Sequence, residues 1–583
     1  MLSKKLLFVA LFVVVLAATY LTACKKDSTG PMRGKDNTAF NAYEDHFLEA
    51  LWKVDPDWAT TTGYHKYDSL LVIPNAKSRD AMLNFVKVQN DSIARFEINE
   101  LSETNRIDYR IMQNQLEYLN WKLVILKEYE WDPSSYNVIR TFGYMLNEHY
   151  APLAKRLRNF YEKMANVPDY YKQVQKELKS PVSELTDLAI EQHTNGLNIF
   201  EKDFADSLKR STIPSSDQKK MLDRAHAAVE AIKGYTAWLK TMKNDKPRGF
   251  RLGKEFYEDK FKYVIQSSAN AQQTYNAAVD RKKYLHREMT KLSRQLWPKY
   301  FGKKAMPADS LDMIASVIDT LSGKHVRAAE FQSTIESQIP KLLTFVKIKD
   351  LVTLDPTKPL IVRKEPGYMS GVAVASMSPP GPYDKQGNFY FNVGNISGSS
   401  PESFLREYNN YTLQLLCIHE GVPGHYVQQV YAQKSPSLIK SIFGGTSMAE
   451  GWAVYSEQMM LDNGYDDSPE MRLMWYKWHL RSVCNTILDY SVHNRDMTKE
   501  QAVKMLTHEA FQEQAEADGK WKRVSVTSVQ LDSYYSGYKE IVDLRDAYKT
   551  KMGDKYKLRD FNEKFLSYGN APVKYIKAVM LGK

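Results

Sequence analysis

From Phe40 to about Ile348 the chain repeats apolar residues at intervals of three and four, as at Leu116, Leu119 and Leu123 or at Leu197, Phe200 and Phe204. That spacing keeps one face of a 3.6-residue helix apolar and gives a strand no consistent face. Breakers fall at helix-length intervals: Pro56, Asp132-Pro133, Pro168, Pro181, Pro214, Pro247 and Pro307. Proline has no N–H for the helix ladder, so each one ends or kinks a helix. Ser216-Asp217 before a Lys/Met/Leu run reads as a helix start. No fixed-period repeat accompanies the pattern, so a solenoid is not supported.

The texture changes at 351–395. Pro359–Lys364, Gly371–Ser376 and Asn388–Val393 are short β-branched or aromatic runs, separated by Glu365-Pro366-Gly367 and by the turn cluster Pro379–Asp384. These read as strands of a small antiparallel sheet containing a β-hairpin. From Pro401 the pattern is helical to the end. The expectation is a mainly α protein in which residues 39–350 form a helical region. Residues 351–583 then carry the sheet and the chemistry, the whole making one continuous unit over about 40–580.

Composition narrows the class. Of 583 residues, 43% are hydrophobic and 26% charged, which excludes a disordered tail protein, a collagen-like chain and a polytopic membrane protein. Three cysteines exclude a disulfide scaffold, and Cys417 and Cys484 read as buried thiols, Cys417 being also a remote ligand option two residues before His419. Eighty Lys+Arg against 69 Asp+Glu give a formal charge of +11, but the signs are interspersed and form no basic stripe, so no nucleic-acid partner is expected.

Residues 1–23 read as a secretory signal: Lys4 and Lys5, then the apolar run Leu6–Ala18, then Leu21-Thr22-Ala23-Cys24. The run is almost long enough for a transmembrane anchor. Its ending decides, because Leu-Thr-Ala-Cys resembles the lipobox of bacterial lipoproteins, in which the cysteine becomes an acylated N-terminus. Cys24 would then hold the protein to a membrane, and 24–38, with Gly30, Pro31 and Gly34, would be a flexible tether. The implied location is the bacterial cell envelope, with Lys25 favouring the outer membrane.

The chemically informative segment is Cys417-Ile418-His419-Glu420-Gly421-Val422-Pro423-Gly424-His425, followed by Gln428. Zinc peptidases carry two His at i and i+4, with a Glu beside the first. On a regular helix that brings the rings about 40° apart, whereas the six-residue gap here leaves them about 120° apart. Gly421, Pro423 and Gly424 would permit a bulge or break that returns His425 to the first ring's side. Spacing alone leaves this open against a helix start with one core and one surface His. Downstream, Glu450 opens the helix Glu450-Gly451-Trp452-Ala453, with Glu457 seven residues on and nearly on the same face. Glu450 fits either a third ligand or a helix-start acid favoured by the dipole. Glu457 would sit behind the ligands, orienting a His or pairing with an Arg. Were His419, His425 and Glu450 to hold zinc, Glu420 would be placed to take a proton from the water that the ion acidifies. Donors to the oxyanion would come from the segments Leu480–His493 and Gln530–Tyr538. His508-Glu509 is a decoy, with Gln512 where a second His is needed.

These residues resemble the bacterial domain-of-unknown-function 885 family, which is similar to zinc metallopeptidases of the gluzincin type. The likeness begins at Asp55-Pro56, Trp58 and Thr60, then runs through Gly63-Tyr64-His65, Tyr67-Asp68, Ile107-Asp108-Tyr109, Gly253, Glu255 and Phe256. It continues through Gly387–Asn392, the 419–428 core, Glu450–Ala453, Asp489 with His493, Gln530 with Tyr534 and Gly537, Leu544-Arg545, Phe561, Gly569 and Pro572. The resemblance implies zinc on His419, His425 and Glu450, Glu420 as general base, and His493 and Tyr534 as oxyanion or substrate contacts. Gln428, Glu457 and Asp489 would support them. Two positions depart from the family: Tyr426 stands where a His is frequent, and Ser528-Val529-Gln530-Leu531 replaces a Pro-Gly-Gln-Ala run.

The expectation is therefore a lipid-anchored zinc peptidase of oligopeptides, with an edge strand pairing the substrate beside a zincin-like helix pair. The rivals are a non-catalytic zinc or peptide binder on the same fold, a metal-dependent amidase of cell-wall peptides, and a helical nutrient-binding lipoprotein. The last is disfavoured by the His-Glu constellation. Oligomeric state is not legible.

Overall fold

The computed structural model describes residues 37–242, 248–365, 375–384, 387–394, 396 and 401–582. The signal segment 1–23, Cys24 and nearly all of the tether lie outside the described residues, and the first helix opens at Asn37. No helix among them is long and apolar enough to cross a membrane.

Helices dominate, as the periodicity requires. Their starts use local chemistry: Asn270 accepts from the Gln273 N–H while the Gln273 side chain accepts from Asn270, a reciprocal cap. That cap opens α1 (Ala271–Phe301), which packs along a second long helix, Pro469–Asn494. The main core runs from Phe40 to Met580 and draws on residues either side of 350. A second, smaller core fills the helices between 139 and 241, where Phe142, Phe160, Phe200 and Phe204 meet.

Three strands make up the sheet: β1 (Leu360–Lys364), β2 (Ala375–Ser378) and β3 (Phe389–Val393), in the order β1-β3-β2. β2 and β3 are antiparallel, but β1 runs parallel to β3. The expected all-antiparallel sheet is thus corrected to a mixed one. The physical reason is the connection: the chain between β1 and β3 is long enough for a crossover, and it carries β2 to the far side of β3. The stretch 371–374, expected in a strand, lies outside the described residues. Asn392, fully buried on the middle strand, accepts from Arg363 Nε of β1 at 2.7 Å and donates to Ser378 Oγ of β2 at 2.7 Å. β1 and β2 are the edge strands, and the outer edge of β2 faces the His-Glu segment through the Met377 N–H.

Six helices position the site: α2 (Thr412–Leu416), α3 (His425–Lys434), α4 (Thr446–Asp462), α5 (the long partner of α1, Pro469–Asn494), α6 (Gln514–Val526), and α7 (Asp532–Met552), which packs along α4. The α4–α7 crossing is backbone on backbone. A Cβ on Gly537 would lie 1.7 Å from the Ser447 carbonyl oxygen, and one on Gly451 would lie 2.3 Å from the Gly537 carbonyl carbon. No side chain fits there, which explains the Gly after Glu450 and the Gly three residues after Tyr534. Gly537→Ala is therefore expected to destabilise the protein by at least about 2 kcal/mol through overpacking. Urea unfolding checks this, and an unchanged midpoint would show that the helices can part at no cost.

Candidate metal centre

The six-residue gap between the imidazoles is closed by the backbone. After α2 the helix widens into a π-turn over Cys417–Gly421, where the Val422 N–H reaches back to the Cys417 carbonyl at 3.2 Å. The Gly424 N–H then folds back onto the Ile418 carbonyl at 3.0 Å, and the Val422–Pro423 peptide is cis. A Cβ on Gly424 would meet the His419 carbonyl oxygen at 2.0 Å and that of Ile418 at 2.3 Å, so only glycine permits the fold-over. The next helix, α3, starts at His425. The result is two rings with centroids 4.8 Å apart and planes 87° apart.

Glu450, on the second turn of α4, completes the group. Its Oε2 lies 3.5 Å from His419 Nε2 and 3.4 Å from His425 Nε2. The Trp452 indole fixes this approach by donating to the Pro423 carbonyl at 2.9 Å, which ties α4 to the turn between the two histidines. Glu450 Oε2 is buried and has no hydrogen-bond partner. A tetrahedral zinc site with bonds of about 2.1 Å has ligand–ligand edges of about 3.4 Å. The spacing and the orphaned oxygen both fit such an ion.

Glu420 also lies close, with ligand atoms of His419, Glu420 and His425 within 4.8 Å of one another. Two carboxylates thus compete for the third ligand position. Glu420 Oε2 is already held by the Met377 N–H of β2 at 3.0 Å, whereas Glu450 Oε2 is nearly equidistant from both Nε2 atoms. The geometry therefore favours Glu450 as ligand and leaves Glu420 as a tethered neighbour.

Behind His419, Glu457 Oε1 accepts from Nδ1 at 2.7 Å and from the Trp478 indole at 2.9 Å. Indole nitrogen only donates, so that oxygen is an acceptor and His419 carries a proton on Nδ1, which leaves Nε2 as the nitrogen that faces Glu450. Charge in the pocket is concentrated. Burial works against a charged His419, yet interaction with Glu450 and Glu457 carries its pKa up to about 10. Burial likewise opposes ionised Glu450, but the two imidazoles hold it below the ordinary carboxylate range. Burial pushes Glu420 up.

Tyr534 reaches the group from α7, its ring stacked 6.4 Å from that of His419. Its hydroxyl oxygen accepts from Arg523 Nη2 at 3.2 Å, and Gln530 Oε1 accepts from the same nitrogen at 2.6 Å. Asp489 works through the loop before α7, accepting from the Val529 and Leu531 N–H groups at 2.9 and 3.0 Å and from the Tyr257 hydroxyl at 3.0 Å. It thereby holds Val529 at φ +69°, a left-handed conformation that costs a β-branched residue and that suits the Gly of the related run.

His493 departs from its expected role. Its Nδ1 accepts from the Leu252 N–H at 3.3 Å, and its Nε2 lies 3.1 and 3.0 Å from the Val524 and Thr527 carbonyls. Both nitrogens are engaged by main chain, so the ring clamps the end of α6 and leaves nothing for a substrate. Gln428 is fully buried on α3 and donates to Asn570 and, at 3.6 Å, to Met448 Sδ, bracing α3 against α4. Cys417 and Cys484 are buried free thiols, and burial raises the pKa of each. Glu509 of the decoy pairs with Lys282. Sequence reasoning missed Arg523, Trp478 and the Met377 N–H. Arg523 belongs to no motif, and a main-chain donor on a strand leaves no trace in residue identity.

The sequence profile of a family described as bacterial protein of unknown function (DUF885) matches residues 56–580. A solved structure from Shewanella oneidensis, described as a candidate lipoprotein of unknown function, is 45% identical, covers 93% of this chain and 99% of its own, and superposes with a TM-score of 0.84. A second candidate lipoprotein, from Colwellia psychrerythraea, shares the fold at 16% identity and a TM-score of 0.75, with 94% and 99% of the two chains covered. No curated protein matches the sequence.

Equilibrium dialysis against zinc is expected to load about one ion per chain. Glu457→Gln should weaken that affinity about 10–100-fold by freeing the His419 ring, while Glu420→Gln leaves it nearly unchanged. Equal loss in both variants would mean that Glu420, not Glu450, completes the ligand set.

Proposed function

The chain belongs to the DUF885 family, and we propose that it is a lipid-anchored, zinc-dependent peptidase hydrolysing oligopeptides. The observation that carries this reading is the convergence of His419 Nε2, His425 Nε2 and Glu450 Oε2 beside a tethered Glu420. Those three residues would hold a zinc ion, which would supply an acidified water and a polarised carbonyl. Glu420 is the base: its carboxylate adjoins the ligands, and the Met377 N–H fixes one oxygen and leaves the other for a water proton. Tyr534 is the oxyanion donor. Its oxygen accepts from Arg523, so its own hydrogen is free to point at a developing negative charge.

Substrate orientation comes from β2. One of its edges pairs with β3, and the outer edge lies beside Glu420, so an extended peptide laid along β2 brings its carbonyl to the site. The Met377 N–H is spent on Glu420, which leaves the rest of the strand edge for the peptide. The candidate-lipoprotein description of the 45% identical Shewanella protein supports the anchoring reading of Cys24.

Glu420→Gln should lower kcat on an oligopeptide mixture at least about a hundredfold, since a general base is removed while the ligands stay. Mass spectrometry of the digest reads the result. Equal digestion by both proteins would refute Glu420 as base, and no digestion by the zinc-loaded wild type would favour a binding protein. Cys24→Ser should move the protein from the membrane fraction to the soluble envelope fraction, and retention in the membrane would remove the lipid anchor from the account.

A further inference from the structure

The face of α5 and α6 behind the site carries a row of buried cations, and nearly all are neutralised. Lys477 pairs with Glu407 at 2.8 Å, and Arg481 with Glu516 at 2.6 Å. Lys520 donates to Asn485 at 2.7 Å and stands 3.8 Å from Glu516. Arg523, one turn further along α6, differs. Among the described residues no carboxylate lies within 4.0 Å of it, and its partners are the neutral Gln530 and Tyr534. Both bonds come from Nη2, and among the described residues Nη1 and Nε donate to nothing.

Glu450 attracts the guanidinium at longer range, but no described carboxylate touches it, and a half-buried cation whose contacts are neutral still favours an incoming negative group. Nη1 and the Nε–H are left as donors, and each can give one charge-assisted hydrogen bond to a carboxylate. Its position fits a substrate end. The Tyr534 ring lies 6.4 Å from the His419 ring, and the Arg523 guanidinium carbon lies 5.9 Å from the Tyr534 ring. An extended peptide advances about 3.4 Å per residue, so at most about four residues span both steps.

We propose that Arg523 binds the C-terminal carboxylate of the substrate, which makes the enzyme a carboxypeptidase-type exopeptidase that releases short C-terminal pieces. This rests on the peptidase reading above, but the recognition it describes is testable without turnover. Gln530 and Tyr534 orient the guanidinium, and the Arg523–Tyr534 bond couples seating of the substrate end to the hydroxyl that meets the oxyanion.

The test uses zinc-loaded full-length protein and two N-blocked tetra-alanine peptides, one ending in a carboxylate and one in an amide. In calorimetric titration of the Glu420→Gln protein, the acid should bind at least about tenfold more tightly than the amide, the scale of a charge-assisted hydrogen-bonded pair. Adding Arg523→Gln should bring the ratio to about one and leave amide affinity within about twofold. Adding Arg523→Lys instead, which keeps the charge but loses the directed guanidinium donors, should leave an intermediate ratio and guards against misfolding of the Gln variant. Equal binding of acid and amide, or a preference that survives Arg523→Gln, would overturn the proposal. Initial rates on the wild type separate the two claims. Preference for the acid without hydrolysis of either peptide refutes the peptidase and keeps the carboxylate site. Hydrolysis of both at equal kcat/KM with equal binding keeps the peptidase and refutes the site.

Discussion

Two imidazoles six residues apart cannot share an ion on a regular helix, and the fold-over at Gly424 resolves this. The Ile418 and His419 carbonyls occupy the volume that a side chain at 424 would need. The π-turn and this reversal together absorb the surplus residues and restart the helix with His425 facing His419. Everything else in the site is arranged around that turn. Trp452 grips its Pro423 carbonyl, Gln428 braces the helix that leaves it, and Glu457 sets the proton on the ring that precedes it.

A second constraint acts at longer range. Glu450 and Tyr534 stand on different helices, and they meet because α4 and α7 cross at two glycines with their backbones in contact. Buried side chains at that crossing would push the helices toward ordinary interaxial distances of 8–10 Å. Asp489 then fixes the loop that leads into α7, and it does so strongly enough to hold a valine at positive φ. Asp489 and His493, one turn apart on α5, thus act on either end of the α6–α7 connection rather than on the reaction itself.

Much of this was legible in the sequence, for reasons that differ from residue to residue. The helical body follows from the three-and-four spacing, and the break between the histidines follows from Gly421, Pro423 and Gly424. Glu450 and Glu457 share a face because seven residues make nearly two turns. β3 is bounded by turn residues and lies where its aromatic alternation put it. What escaped depends on tertiary partners. The parallel pairing of β1 is decided by a crossover, not by the composition of the strand. His493 looks like a catalytic histidine in a row of letters, and only its main-chain partners show it to be a clamp. Arg523 stands in an ordinary helix, and its lack of an anion becomes visible only when its neighbours on α5 and α6 are paired off.

The central claim is that His419, His425 and Glu450 hold one zinc ion. X-ray absorption at the zinc edge of the loaded protein tests it most directly. The account predicts a four-coordinate shell of two imidazole nitrogens and two oxygens at about 2.0–2.2 Å, with the outer-shell scattering that imidazole rings produce. A six-coordinate, all-oxygen shell without imidazole scattering would contradict it.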